Sequence, residues 1–353
     1  MLIVVSPNLT SMAFVPPCCG DEDFRLAVFL TEANASPENK PSLRLLSDVF
    51  LVYRPTWHWE GHYWLGRQED FFNSLRYLDN LLSIEHIASD IVDKNSITEL
   101  DFRVGYSNIS RMVLGRSSLD SLSLAALIAS FKVLREFRYF AGGRVDSGTQ
   151  FNPKTFFKAM CWHKDTLEIL DLDVACQMNL LDIPCEFRRE YAMEHWESGP
   201  DPWSNSREKR HEFLSQVRRH NKTLKDFVAL KRLSLGIDLL LYFAKGIRFD
   251  LWELPEGYEH LRLIDCLPDS LEYLCVRGYH KGENPDHDEH MDELLALFKS
   301  GSSSLKEIEG IEETIHVPGP GHYDPDPVLW TERPLNNSES ESESESESES
   351  ESE

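Results

Sequence analysis

An apolar pattern recurs along the chain: one apolar residue, a second three positions later, and a third two positions beyond the second. We call this pattern the apolar motif. Its second and third residues are two apart, so in a strand both side chains point to one face. The motif therefore predicts a short strand that begins just after its first residue. The copies are Ile97-Leu100-Phe102, Leu134-Phe137-Tyr139, Leu167-Leu170-Leu172, Leu230-Leu233-Leu235, Leu271-Leu274-Val276 and Leu305-Ile308.

Segments with helical apolar spacing lie between these copies. They include residues 119–131, a segment that starts at Pro153 with Asn152 as its candidate N-cap, and residues 288–300 followed by Gly301. Proline at the first helical position and glycine after the last one are typical helix boundaries. Each unit is thus predicted as helix, turn and strand. No unit can bury its apolar side alone, so neighbouring units must stack.

We therefore predict an α/β fold, an irregular leucine-rich-repeat solenoid of about six helix–turn–strand repeats. An irregular α+β domain with coincidental motifs is the alternative. The predicted division is an irregular N-terminal arm over 1–56, a repeat domain over 57–316 with an insertion at 177–225, and a tail over 317–353. The tail is rich in Pro and Gly and then alternates Ser and Glu, a composition typical of disorder.

Acidic residues outnumber basic ones, with 60 Asp and Glu against 36 Lys and Arg, and the formal net charge is −24. Such a chain repels phosphate backbones, so we do not expect nucleic-acid binding. The predicted insertion contains a basic helix from Arg207 to Arg219. This helix is either a solvated face or a docking site for an acidic segment.

The seven Cys residues form no CxxC pair and no regular framework, which is typical of reduced thiols. The N-terminus lacks a basic region before its apolar residues, and no run of about 18 apolar residues occurs. We expect a cytoplasmic or nuclear location and no membrane partner.

The segment Leu263–Tyr279, LIDCLPDSLEYLCVRGY, is the most specific part of the chain. It resembles the C-terminal repeats of fungal leucine-rich-repeat proteins of the F-box-associated type, in which a Pro-Asp turn precedes the strand. Similar sequence features extend from about Trp57 to Glu313. The resemblance implies a substrate receptor of a ubiquitin ligase, in which the repeats hold a protein substrate.

In that group an N-terminal F-box opens with a Leu-Pro-x-Glu motif and binds the Skp adaptor. Residues 1–60 contain no such motif, and only Ser42–Pro55 has a remnant of the helical spacing. The resemblance therefore implies a Skp partner only if an F-box has been missed. A truncated sequence and a repeat-only relative are the two alternatives.

No phosphate-binding glycine loop, GxSxG or HExxH motif occurs, so we predict a non-enzymatic protein-interaction module without catalytic, cofactor or metal residues. The alternative is a metal-dependent enzyme built around Asp286, His287 and His290, whose ordinary interpretation is a capped, solvated helix start. The pair Asp171 and Asp173 is interpreted as two residues of an exposed strand face. A repeat-only fragment with no partner is a third alternative.

Residues between the buried strand positions line the opposite face, which a solenoid makes concave. Mixed charged and aromatic side chains there suit a protein-binding surface, and an ordinary polar sheet face is the alternative. The residues predicted to bind a partner, whose identity is unknown, are Asp101, Arg103, Arg138, Phe140, Asp171, Asp173, Arg232, Tyr273 and Arg277.

The Ser-Glu tail has its own predicted role. Ser338, Ser340 and Ser342 each have Glu at +1 and +3, the setting favoured by casein-kinase-type enzymes. Phosphorylation would add about −1.5 to −2 charges per site. A phosphorylated tail lying across the basic helix is one hypothesis, and a solubilising extension is the other.

Overall fold

The computed structural model describes the chain in separate stretches. They are residues 8–14, 25–36, 43–51, 66–67, 75, 78, 86–92, 104–119, 121–141, 151–174, 223–245 and 262–315.

Strands in these stretches form one parallel sheet whose spatial order follows the chain. The strands are β1 Ser11–Phe14, β2 Asp48–Leu51, β3 Gly66–Arg67, β4 His86–Val92, β5 Arg111–Ser118, β6 Glu136–Ala141, β7 Ile169–Asp173, β8 Arg232–Gly236, β9 Tyr273–Arg277 and β10 Glu307–Glu309. The order runs from β1 at one edge to β10 at the other, with β3 paired to β4 beside this path. Every pairing is parallel, so each connection crosses from one end of the sheet to the other.

Helices occupy the connections. They are α1 Arg25–Ala35, α2 Ser121–Ser130, α3 Pro153–Met160, α4 Ile237–Lys245, α5 Leu263–Cys266 and α6 Pro285–Ser300. From α2 to α6, each helix contacts the next one along the chain, so these helices form one layer. The prediction of a mixed α/β fold is confirmed.

Asparagine side chains cap the N-termini of two helices. Asn152 caps α3 by accepting a hydrogen bond from the Thr155 amide, and Pro153 occupies the first turn. Asn284 does the same for α6, which starts at Pro285 and therefore three residues before the predicted Asp288. Gly301 ends α6 in the left-handed conformation at φ 66°, as its position indicated.

The apolar motif marks the buried side of the sheet. Phe137, Leu170, Leu233 and Leu274 are register partners on β6 to β9, and each is fully buried. The first residues of the same motifs, Leu134, Leu167, Leu230 and Leu271, are buried directly before the strands. Burying a leucine side chain contributes about 1.5–3 kcal/mol, so each strand is held mainly by this face. The strands predicted at these motifs are confirmed, as is the short one at Ile308.

Other strands carry the same spacing with less leucine. Ile109-Met112-Leu114 lies at β5, and all three side chains are buried. β5 is the strand that pairs with β6, whereas the predicted copy at Ile97-Leu100-Phe102 lies outside the described residues. The strand β5 was therefore not predicted, although Ile109-Met112-Leu114 has the spacing of the apolar motif.

Residues 1–56, predicted as an irregular arm, contain two strands and a helix. β1 and β2 join the same parallel sheet, with Met12 opposite Val49. The reason is again the apolar motif, which occurs as Leu46-Val49-Leu51 with all three side chains buried. These strands extend the apolar side of the sheet instead of forming a loose segment.

Hydroxyl groups tie neighbouring motifs together. Thr166 Oγ1 donates to the Leu134 carbonyl at 2.9 Å, and Ser270 Oγ donates to the Leu230 carbonyl at 2.8 Å. Ser304 Oγ makes the equivalent bond to the Leu271 carbonyl at 2.8 Å. Each donor directly precedes a motif, and each acceptor is the first residue of the preceding motif. At two equivalent positions, Val133 and Ala229, the side chain has no hydroxyl.

In the motifs of β6 to β10, the position directly after the first residue carries a charge, and the sign alternates from one motif to the next. Glu168 lies between Arg135 and Lys231, and its carboxylate contacts each of them at 2.9 Å. Lys306 contacts Glu272 of the preceding motif at 2.7 Å. Hydrogen bonding by Lys231 and then Arg135 lowers the pKa of Glu168. Exposed pairs of this kind stabilise little, so they follow the register that the apolar side sets.

His163 joins α2 to the segment before β6. Its Nδ1 accepts from the Leu134 amide at 3.3 Å, so Nε2 carries the proton and donates to the Ile128 carbonyl at 2.9 Å. Burial lowers the pKa of His163, and the bond to Ile128 offsets this in part. A protonated Nδ1 could no longer accept from Leu134.

We predict that Ser270→Ala lowers the free energy of unfolding by about 1 kcal/mol, because the Leu230 carbonyl loses its side-chain donor. Ala229→Ser should raise it by about 0.5–1.5 kcal/mol by donating to the Leu167 carbonyl. Urea unfolding measures both changes. Ser270→Thr is the matched control, since Thr166 makes the same bond. Equal stability of Ser270→Ala and Ser270→Thr would contradict the prediction.

We also predict that His163 makes the fold acid-sensitive. Its pKa is lowered in the folded chain, so below the ordinary value of 6.5 the unfolded chain binds a proton that the folded chain does not. Stability is therefore lost as the pH falls from about 6.5 towards the lowered pKa. Urea unfolding of the wild type and His163→Gln between pH 8 and pH 5 measures this. The wild type should lose more stability than the variant, and parallel pH profiles would exclude His163 as the cause.

Candidate functional site

The side of the sheet opposite the apolar motif carries polar and aromatic side chains on β6 to β9. We call this side the outer face. Because side chains alternate along a strand, the residues between the buried motif positions point to this side, as the sequence predicts. Its residues are Glu136, Arg138, Phe140, Ile169, Asp171, Asp173, Arg232, Ser234, Tyr273, Cys275 and Arg277. Of the residues predicted to bind a partner, Asp101 and Arg103 lie outside the described residues, and the other seven lie together on this face.

Arg277 of β9 crosses β8 to reach β7. Its Nη2 contacts the Asp171 carboxylate at 2.8 Å, and its Nη1 donates to the Leu172 carbonyl at 3.2 Å. The register partner of Arg277 on β8 is Gly236, and a Cβ added there would meet no atom within 4 Å. Burial lowers the pKa of Arg277, but the neighbouring carboxylates of Asp171 and Asp173 outweigh it and leave the pKa raised. Arg277 is therefore a fixed cation.

Arg138 approaches the same carboxylate from the other side. Its Nε donates to Glu136 at 2.6 Å, and its Nη1 lies 4.0 Å from the second oxygen of Asp171. Asp171 thus lies between two guanidinium groups, and its side chain is only 15% exposed. Two half-buried cations and two carboxylates hold one another in place across β6, β7 and β9.

Arg232 is placed differently. Its guanidinium carbon lies 4.2 Å above the centre of the Tyr273 ring, a cation–π contact. The Tyr273 hydroxyl donates to Glu309 at 2.7 Å, and burial followed by this bond raises the pKa of Tyr273. Among the described residues, Arg232 forms no ion pair with a carboxylate. It is therefore the arginine of this face that is free to take a new anionic partner.

A hollow of about 140 Å³ opens between these side chains. Its polar walls are Arg138, Asp171, Arg232, Ser234, Tyr273 and Arg277. Ser234 is 5% exposed, and its hydroxyl has no hydrogen-bond partner in the part of the chain described. A buried hydroxyl without an acceptor costs free energy. The hollow thus combines cations with an unused donor.

Two findings differ from the sequence interpretation of this face. Asp171 and Asp173 were expected to be exposed, yet Asp171 is held in ion pairs and Asp173 is 6% exposed. Periodicity places Ser234 and Gly236 on the face but does not single them out. An unpaired hydroxyl and an open path for Arg277 depend on which strands are adjacent, and no local signal carries that information.

The residues of the alternative metal site lie in the first turn and a half of α6. Asn284 accepts hydrogen bonds from the amides of Asp286 and His287, and His287 lies 3.9 Å from Asp238. Within the described residues no group of three or more His, Cys, Asp or Glu is arranged to hold a metal ion. These contacts agree with the interpretation of the cluster as a capped helix start.

Two other predicted features lie outside the described residues. They are the basic helix of the insertion and the tail with Ser338, Ser340 and Ser342.

No family model matches the chain, and a comparison with the curated proteins finds no match either. None of the helices in the described stretches is both long and apolar enough to cross a membrane.

We predict strong coupling between Asp171 and Arg277. Both side chains are about 15% exposed, so removing either one leaves the other without its main partner. A double-mutant cycle with Asp171→Asn and Arg277→Gln should give a coupling energy of about 1–3 kcal/mol in urea unfolding.

The matched control is the pair Lys281 and Asp292, which is equally short at 2.8 Å but has side chains that are 66% and 58% exposed. Its cycle, Lys281→Gln with Asp292→Asn, should give less than about 1 kcal/mol. Equal coupling in the two cycles would show that the outer-face pair is not held more firmly than a surface pair.

Proposed function

We propose that this protein is a non-enzymatic protein-interaction module, an irregular leucine-rich-repeat solenoid that binds a protein partner on its outer face. The observation that carries the proposal is the set of charged and aromatic side chains on β6 to β9, gathered around one hollow. The proposed binding surface consists of the seven predicted residues that the structure describes, namely Arg138, Phe140, Asp171, Asp173, Arg232, Tyr273 and Arg277.

Repetition supports the solenoid. The strands pair in chain order, and equivalent motif residues are register partners from β6 to β9. The hydroxyl bonds of Thr166, Ser270 and Ser304 repeat at equivalent positions. Contacts between nearest neighbours in sequence are what a stack of repeats requires, because each unit buries its apolar side only against the next.

The chemistry of the outer face supports binding. Arginine and aromatic residues are enriched at protein interfaces and at their energetic hot spots. Arg277 and Arg138 are already fixed by Asp171 and Glu136, so binding would order few additional side chains. Such preorganisation is expected of an interaction surface.

The resemblance to F-box-associated repeat proteins narrows the proposal. In such a protein the repeats act as the substrate receptor of a ubiquitin ligase, with a Skp adaptor bound to an F-box. We extend this role to the present chain as a proposal, with LIDCLPDSLEYLCVRGY as its most specific support.

Affinity purification of the tagged full chain from its native cell tests the proposal. We expect a specific partner whose recovery falls at least about tenfold in the variant Phe140→Ala/Arg232→Ala, since hot-spot residues each contribute more than about 1 kcal/mol. Skp and cullin subunits among the recovered proteins would support the ligase role.

Lys306→Ala is the control, because Lys306 is 70% exposed and lies before β10, away from the hollow. It should recover the partner as the wild type does. Full recovery by Phe140→Ala/Arg232→Ala, with an unchanged melting temperature, would exclude the outer face as the binding surface.

A further inference from the structure

The hollow on the outer face is lined by three arginines and one aspartate, in a chain of net charge −24. Asp173 also lies near Arg277. Arg277 is committed to Asp171, and Arg138 is committed to Glu136. Arg232 contacts the ring face of Tyr273, and this contact uses none of its N–H groups in a hydrogen bond to oxygen. Those donors remain available.

Ser234 supplies a second, independent indication of a binding site. It lies on β8, between β7 and β9 and two residues from Arg232, so both side chains are on the same face. Its hydroxyl is buried and has no partner among the described residues. Buried hydroxyl groups normally have a partner, and the exceptions often mark a site that binds something. An acceptor atom placed in the hollow would satisfy it.

The size of the hollow selects the kind of occupant. Pockets for whole small molecules are typically about 300–1,000 Å³, and a volume of about 140 Å³ is well below that range. It has room for the end of a side chain. The occupant is therefore a group that projects from a larger molecule and enters the hollow.

The charges select the group. Asp171 and Glu136 already neutralise two of the three arginines, so one guanidinium remains for the ligand. One free cation matches a carboxylate with a single negative charge better than a phosphoryl group with nearly two. A carboxylate also has two oxygens, enough to accept from Arg232 and from the Ser234 hydroxyl together.

The geometry points to this hollow as a binding site for the side-chain carboxylate of an acidic residue in a partner peptide. This inference rests on the proposed function and deepens it, because it names the contact that selects the partner. In it Arg232 and Ser234 bind the carboxylate. Arg277 and Asp171 form the wall that keeps the hollow open.

Fluorescence anisotropy tests the inference with the full chain and two labelled probes, a peptide of ten glutamates and one of ten glutamines. We expect the glutamate peptide to bind at least about tenfold tighter, because hydrogen bonds to charged groups are the stronger ones. Arg232→Gln and Ser234→Ala should each weaken its binding several-fold, and Lys306→Gln should not.

Ser234→Ala separates binding from folding. Its hydroxyl has no partner in the described part of the chain, so its loss should leave the melting temperature unchanged or slightly raised. Inorganic phosphate is the competing probe, and we expect it to displace the glutamate peptide poorly. Equal binding of the two peptides, no effect of Arg232→Gln, or efficient displacement by phosphate would each overturn the inference.

The two proposals fail in different ways. A partner lost from Phe140→Ala/Arg232→Ala in the cell, combined with equal binding of the two peptides, leaves the outer face as the interface and removes the carboxylate site. Selective binding of the glutamate peptide with an unchanged set of cellular partners removes the proposed function and keeps the site.

Discussion

The register of the buried apolar ladder is the constraint on which the rest of this structure depends. Phe137, Leu170, Leu233 and Leu274 lie side by side on four parallel strands and are fully buried. A slip of one residue would turn each of these side chains to the outer face and bring a polar one inside, at a cost of several kcal/mol per strand. The hydroxyl bonds and the alternating charges of Glu168 and its neighbours are weaker and follow this register.

The same register builds the outer face. Because each strand keeps its neighbour aligned, Asp171 of β7 and Arg277 of β9 come within 2.8 Å although more than a hundred residues separate them in sequence. Gly236, opposite Arg277, leaves the space above β8 open. The apolar side therefore fixes the positions of charges that have no strong positional preference of their own.

This division explains what could be predicted from the sequence. Leucine at the motif positions of β6 to β9 is a strong local signal, and the strands lie where it predicts. The equivalent residues of β1, β2 and β5 include Met12, Val49 and Met112, which fit the same buried side but are less conspicuous in a sequence. Alternation also placed Arg232 and Tyr273 on the outer face. Which charges pair there was not predictable, because pairing depends on neighbours far apart in the chain.

In the proposed contact an acidic chain binds an acidic peptide, although charges of like sign repel one another. At physiological ionic strength charges are screened over about 8 Å, so most of the net charge of −24 does not act within the hollow. There the nearest groups decide. Asp171, Asp173 and Glu136 offset Arg277 and Arg138, and Arg232 has no ion pair with a carboxylate among the described residues. Distant acidic residues still repel an approaching acidic segment at low salt, which slows association more than it weakens the bound state. Selectivity then comes from Arg232 and Ser234 at the contact, and the overall charge disfavours acidic segments that cannot reach them.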